Sequence, residues 1–156
     1  MTSNLESLEI RAATIDDVPQ IVAMLADDTL GATRESPEDL APYLEAFERV
    51  ASNPGQHLFI AEYGGQPAGT LQLMIIPGLA RRGAIRAQIE SVRVHRCLRG
   101  RGLGTELIRW AIETAREHGA RIVQLTSDAS RTDAHRFYER LGFVKSHAGF
   151  KLQLTA

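Results

Sequence analysis

The residues with the clearest chemical potential are the arginines and glycines of Val92-Arg93-Val94-His95-Arg96-Cys97-Leu98-Arg99-Gly100-Arg101-Gly102-Leu103-Gly104-Thr105. Gly100, Gly102 and Gly104 lack the Cβ that would hold a ligand away from the backbone. Free N–H groups at the start of a helix carry partial positive charge. Arg99 and Arg101 add full charges, so the stretch has the chemistry of an anion site, and its simplest tenant is a phosphate or pyrophosphate. Two well-known phosphate loops are excluded by spacing. The pattern G-x-G-x-x-G counted from Gly100 requires a glycine where the chain has Thr105. The pattern G-x-x-x-x-G-K-[ST] requires a Gly-Lys pair that follows neither Gly100 nor Gly102. A strand-to-helix turn with solvated arginines is the simpler alternative. One glycine would serve a turn, however, and each further glycine costs backbone entropy.

The flanking elements must position this loop. Ala87-Gln88-Ile89-Glu90-Ser91-Val92-Arg93-Val94 alternates as a strand does. Leu103, Leu107, Ile108, Ala111, Ile112 and Ala115 fall on one helical face, and Gly119 stops that helix. Before the loop, the spacing predicts a strand at Leu8–Ala12 and a helix from the cap Thr14 to about Asp28. A second helix is expected from the cap Ser36 with Pro37 at its first position. Two strands joined by Gly64-Gly65 form a hairpin, and a loop at 77–84 carries Arg81 and Arg82. After the loop come a strand at Arg121–Thr126, a short helix at Asp133–Leu141, and closing strands at Phe143-Val144 and Phe150–Leu154. The order β-α-α-β-β-β-α-β-α-β-β implies an α/β chain with a mixed sheet and helices on both faces.

Composition narrows the function. At 156 residues, with 44% hydrophobic and 24% charged residues, residues 1–156 are expected to form a single domain. Eighteen basic and nineteen acidic side chains give a formal charge of −1, so a nucleic-acid partner is not expected. No apolar run reaches membrane-spanning length, and the first residues lack the pattern of a signal peptide. The lone Cys97 cannot form an internal disulfide, which fits a cytoplasmic setting. His135 and Glu139 are a helical turn apart, but two ligands make no metal site, and none is expected. Nothing fixes the oligomeric state, and a homodimer stays open.

A second segment, Asp133-Ala134-His135-Arg136-Phe137-Tyr138-Glu139-Arg140-Leu141-Gly142-Phe143, puts Ala134, Phe137 and Leu141 on an apolar helix face. Tyr138 lies beside that face, as an amphipathic tyrosine at a core edge also would. The loop, as Arg-x-x-Gly-x-Gly, resembles the pyrophosphate-binding loop of the GNAT N-acetyltransferases. The second segment resembles their A-x-x-F-Y-x-x-x-G-F signature, and the element order is similar from Leu8 to Leu154. The resemblance implies the GNAT fold, acetyl-CoA as co-substrate and transfer of acetyl to a primary amine. Arg99, Gly100, Arg101, Gly102, Leu103, Gly104 and Thr105 would cradle the pyrophosphate. Val92, Arg93 and Val94 would pair with the pantetheine arm, with an oxyanion hole at a bulge near Val92. Tyr138 would protonate the leaving thiolate, and Glu90 would take the amine proton, directly or through water. For Glu90 the alternative is an ion pair with Arg93 or Arg121.

Arg96 and Leu98 replace the proline and aromatic common in family loops, and Arg131 replaces a frequent asparagine, so Arg131 is expected to meet a phosphate instead. Thr132–Tyr138 and Ser146-His147 are locally similar to aminoalkylphosphonate N-acetyltransferases. The expected acceptor is a small-molecule amine. Asp27, Asp28 and Glu35 would attract a cationic acceptor and Arg81 and Arg82 an anionic one. Two rivals remain: a non-catalytic CoA-binding sensor or regulatory module, and a nucleotide-binding domain, which the failed G-x-G-x-x-G disfavours.

Overall fold

The computed structural model describes residues 8–155. Its strands are β1 (Leu8–Ala12), β2 (Gln56–Tyr63), β3 (Gln66–Ile76), β4 (Ile85–Val94) and β5 (Ala120–Leu125). Its helices are α1 (Val18–Ala26), α2 (Gly31–Arg34), α3 (Ala41–Ala51), α4 (Ala80–Gly83), α5 (Leu103–Glu117) and α6 (Thr132–Arg140). The chain divides into two compact units, one ending at Gln124 and the other starting at Leu125.

In the first unit the sheet order is β1-β2-β3-β4-β5. The first three pairings are antiparallel. The crossover through α5 brings β5 beside β4, which gives the mixed sheet expected from the element order. The hairpin turns at Gly64 (φ +58°) and Gly65 (φ +79°), the left-handed pair a two-residue loop requires.

Side-chain alternation divides the core between two faces. Leu103, Leu107, Ile108, Ala111 and Ala115 of α5 are buried, as the helical spacing predicts, whereas Ile112 is half-buried. They cover the face that carries Leu71, Leu73, Ala87 and Ile89. At Gly69 a Cβ would lie 2.8 Å from both Leu107 Cδ1 and the Arg93 carbonyl oxygen, so glycine sets how closely α5 approaches the sheet. On the other face Ile21, Met24 and Ile60 cluster, with Ala13, Leu25 and Leu58 around them. Arg11 clamps the start of α1 to the sheet through Asp17 (2.7 Å) and Glu62 (2.9 Å). Hydrogen bonding from Arg11 holds the Asp17 carboxyl below its ordinary range.

Three expectations change. The second long helix begins at Ala41 with Pro42 in its first turn, not at Ser36-Pro37. Ser36 instead opens a turn closed by Asp39 N–H, and its own N–H donates to the Tyr43 hydroxyl at 2.8 Å. Both prolines suit a first turn, and the second is used. The loop at 77–84 contains a single turn in which Arg81 (φ +55°) and Arg82 (φ +60°) are left-handed, a conformation the sequence did not signal. After α6 the expected closing strands at Phe143-Val144 and Phe150–Leu154 are absent among the described residues. Phe150, Leu152 and Leu154 are 95%, 84% and 88% exposed. The alternation there suits a strand, but a strand also requires a neighbour to accept its ladder, and local sequence does not supply one.

One titratable group ties this packing to pH. His57 of β2 stacks on Phe59 and lies 4.8 Å, centroid to centroid, from His118 at the end of α5. Its buried Nε2 has no hydrogen-bond partner among the described residues. Burial, and secondarily His118, lower its proton affinity below the ordinary 6.5. Below about pH 6.5 the unfolded chain therefore binds a proton here that the folded chain resists, and stability falls as pH drops. Chemical denaturation of the wild type and a His57→Phe variant at pH 7 and pH 5 checks this. The variant should lose less stability over that interval, and parallel losses would contradict the account.

Candidate active site

The register of β3 against β4 places a bulge where the oxyanion hole was expected. Gln72 pairs with Glu90 and Thr70 with Arg93, so Leu71 faces both Ser91 and Val92. Ser91 adopts φ +54°, a left-handed conformation that costs a non-glycine residue about 1–2 kcal/mol. A bulge leaves its extra residue out of the ladder and re-aims the neighbouring groups. Serine is not a glycine-type turn signal, so only the family resemblance anticipated this feature.

Glu90 directly precedes the bulge and is half-buried. Its Oε1 accepts a hydrogen bond from Gln88 Nε2 at 2.6 Å. The expected alternative, an ion pair with Arg93 or Arg121, is not formed: Arg93 Nε lies 3.1 Å from Asp28 Oδ2. That contact is an ion pair without hydrogen-bond alignment, since Arg93 Nε has no geometrically sound acceptor. Arg93 Nη1 also donates to the Val92 carbonyl at 2.9 Å.

The loop after β4 is braced by its own charges. Arg99 Nε donates to the Val94 carbonyl and Nη2 to the Asp27 carbonyl, both at 3.2 Å. The Asp27 carboxylate lies 3.7 Å from Arg96 and from Arg99. Asp27 and Asp28, two of the three acids that could attract a cationic acceptor, are thus committed to arginines of β4 and its loop. Glu35 accepts from the Tyr43 hydroxyl at 3.2 Å. Arg81, Arg82 and Arg101 make no side-chain hydrogen bond or ion pair among the described residues.

Gly100 (φ +79°) and Gly102 (φ +82°) are both left-handed, and a Cβ on either would meet nothing within 4 Å. Gly102 caps α5, whose first turn holds Leu103, Gly104 and Thr105. The first N–H groups of a helix lack intrahelical partners, so a 15-residue dipole ends here in open space. Cys97 is exposed, and its amide donates to His95 Nδ1 at 3.2 Å.

In the second unit Arg131 is exposed at the N-cap of α6, its N–H donating to the Asp128 carbonyl at 3.0 Å. Tyr138 is half-buried, with its ring edge-on to Phe137 (5.1 Å) and Phe143 (5.8 Å). The ring is packed, as a tyrosine beside the apolar face of the helix should be. Sequence reasoning singled out neither Gln88 nor Gln124, whose Nε2 donates to Gln88 Oε1 at 2.8 Å. Glutamines on a strand carry no signal of what they hold.

Comparison with known proteins gives the family of the chain. The acetyltransferase (GNAT) family profile matches residues 19–143. The chain belongs to the GNAT acetyltransferase family. It is 30% identical, over 91% of its length and 88% of the relative's, to the aminoalkylphosphonate N-acetyltransferase of Salmonella typhimurium. A solved structure described as a transcriptional regulator, from Bacillus halodurans C-125, is 44% identical, with a TM-score of 0.90 over 94% of this chain and 99% of that one. A putative acetyltransferase from Agrobacterium tumefaciens is 30% identical, with a TM-score of 0.83 over 93% and 99%.

As a GNAT protein the chain is an acyltransferase, and the family uses acetyl-CoA. The cradle fits that co-substrate. It has two left-handed glycines fronting open space, a helix N-terminus behind them, and Arg101 uncommitted beside them. No helix among the described residues is long and apolar enough to cross a membrane, and none of their His, Cys, Asp and Glu side chains group as a metal site. Gly102→Val should impose a strained φ and put a branched side chain before the helix N-terminus. Titration calorimetry should show acetyl-CoA binding weakened by about tenfold or more, with helix content retained by circular dichroism. Wild-type affinity in the folded variant would refute the assignment.

Proposed function

We propose that this protein transfers the acetyl group of acetyl-CoA directly to the primary amine of a small molecule. The supporting observation is the bulge at Ser91-Val92 followed, past the end of β4 and a single turn at Arg96–Leu98, by left-handed Gly100 and Gly102 and the N-terminus of α5. In this reading the amides of Gly100 to Thr105 hold the pyrophosphate, with Arg101 and Arg131 adding charge. Val92 to Val94 align the pantetheine arm through their backbone. Their carbonyls already accept from Arg93 and Arg99, but a carbonyl has two lone pairs and can accept again.

Acetyl-CoA supplies an activated thioester, so no acyl-enzyme is required. The amine nitrogen bonds to the carbonyl carbon, and the carbon–sulfur bond breaks. Aliphatic amines are mostly protonated at neutral pH, so a base must take a proton. Glu90 is assigned that role, directly or through a water. Backbone N–H groups at the bulge stabilise the oxyanion. The Tyr138 hydroxyl gives its proton to the departing sulfur and is re-protonated from solvent, while the second nitrogen proton passes to solvent as the amide forms.

For the acceptor, an amine that also bears a phosphonate or phosphate is favoured. Asp27 and Asp28 are engaged by arginines, Arg81 and Arg82 are uncommitted, and a relative of similar length is an aminoalkylphosphonate N-acetyltransferase. The description of the 44% identical solved chain as a transcriptional regulator motivates one alternative, a CoA-binding regulatory module.

Thiol release from acetyl-CoA across aminoalkylphosphonates, polyamines, amino acids, aminoglycosides and short peptides, against an acceptor-free blank, tests the proposal. Release should exceed the blank with the aminoalkylphosphonates. Release with peptides alone would overturn the small-molecule reading, and tight acetyl-CoA binding with a flat panel would favour the regulatory module. With a working acceptor, Tyr138→Phe should lower kcat on the order of 10²-fold when chemistry limits turnover. An unchanged kcat would remove Tyr138 from acid catalysis.

A further inference from the structure

We infer that Gln88 and Gln124 are positioning residues for Glu90, a chain of two amides across β4 and β5 that fixes one carboxylate oxygen and leaves the other open to take a proton. The inference rests on the assignment of Glu90 as the base.

Gln88 and Glu90 are two residues apart on β4 and share a face of the sheet. Gln88 Nε2 donates to Glu90 Oε1 at 2.6 Å, and Gln124 Nε2 of β5 donates to Gln88 Oε1 at 2.8 Å. An ionised carboxylate can only accept, so Gln88 must present its NH₂ group to Glu90 and its oxygen to the other side. Gln124 meets that oxygen with a donor. The charge on Glu90 therefore sets the direction of both amides, and every bond in the chain points its hydrogen toward the carboxylate. All three side chains are half-buried, which limits competition from water.

The surroundings leave this task to the amides. The ladder breaks at the residue after Glu90, so the backbone there is bulged. The cross-strand partner of Glu90, Gln72, donates away from it to Gln56 Oε1 at 2.7 Å. Of the nearby charges, Arg86 shares this face of β4 but lies beyond Gln88, four residues from Glu90, and the others are used elsewhere. Arg93 is paired with Asp28, and Arg121, an odd number of residues from Gln124 on β5, faces the opposite side. The strands β3 and β5 and helix α1 bring no other charged side chain to Glu90. Glu90 Oε2 accepts no hydrogen bond among the described residues, as an oxygen reserved for an incoming proton should not.

The test follows the ¹³C carboxyl signal of Glu90 with pH in labelled protein, the signal being identified by its loss in Glu90→Gln. Removing the amide donor in Gln88→Leu weakens support for the charged form, so the midpoint of this signal should move up by about one pH unit. Gln124→Leu should move it the same way by less, and serves alone if Gln88→Leu does not fold. A midpoint unchanged in a folded variant overturns the positioning role. The acceptor returned by the amine panel separates the two failures. Glu90→Gln at full kcat would sink the base assignment itself. A low kcat in Glu90→Gln, with wild-type titration and kcat in Gln88→Leu, would sink only the amide chain.

Discussion

Strands β3 and β4 hold register along most of their length and lose it over one residue, where Leu71 faces both Ser91 and Val92. This break is the constraint on which the site depends. It lies between two rigid regions. On one side Leu71 and Leu73 are fully buried under α5, and on the other the Thr70 hydroxyl is tied to the Phe59 carbonyl at 2.7 Å. With β3 fixed from both faces, β4 must absorb the extra residue, and Ser91 takes the left-handed conformation. Strain of this kind persists only where surrounding packing imposes it. The glycine turn follows within the same stretch of chain, so the bulge and the start of α5 are positioned by one piece of core.

Charge holds the geometry from the other direction. Asp27 and Asp28 follow α1, and each meets arginines of β4 or its loop. Asp28 also accepts from Gly31 N–H, and a Cβ at Gly31 would overlap the Leu25 carbonyl, so the chain between α1 and α2 has little freedom. The exposed pairs at 3.7 Å contribute little stability individually. Their effect is on placement: Asp27 keeps Arg99 beside the Val94 carbonyl, while Asp28 keeps Arg93 away from Glu90, which leaves Arg101 and the helix N-terminus uncommitted within the loop itself.

Where the signal was local, the sequence was readable. Gly64-Gly65, the α5 stripe from Leu103 to Ala115 and the stop at Gly119 follow from turn chemistry and helical period, and each is in place. The loop's place between a strand and a helix was legible because three glycines among arginines break the periodicity of both neighbours. Features that depend on distant partners were not legible. Nothing in Ser91 announces a bulge, since Leu71 and its packing create it. The choice of Pro42 over Pro37 depends on Tyr43 reaching back to Ser36. The segment after Phe143 alternates like a strand but lacks a ladder among the described residues. The ion pairs of Asp27 and Asp28 were not legible because their arginine partners lie far along the chain.

The central claim is that the turn between β4 and α5 binds acetyl-CoA through backbone amides. The most direct measurement is a ¹H–¹⁵N correlation titration of the labelled protein with acetyl-CoA. The largest amide shifts should fall on Gly100 to Thr105, with a second group at Val92 to Val94. Saturable binding that leaves those amides unmoved, or no binding at all, would contradict the account.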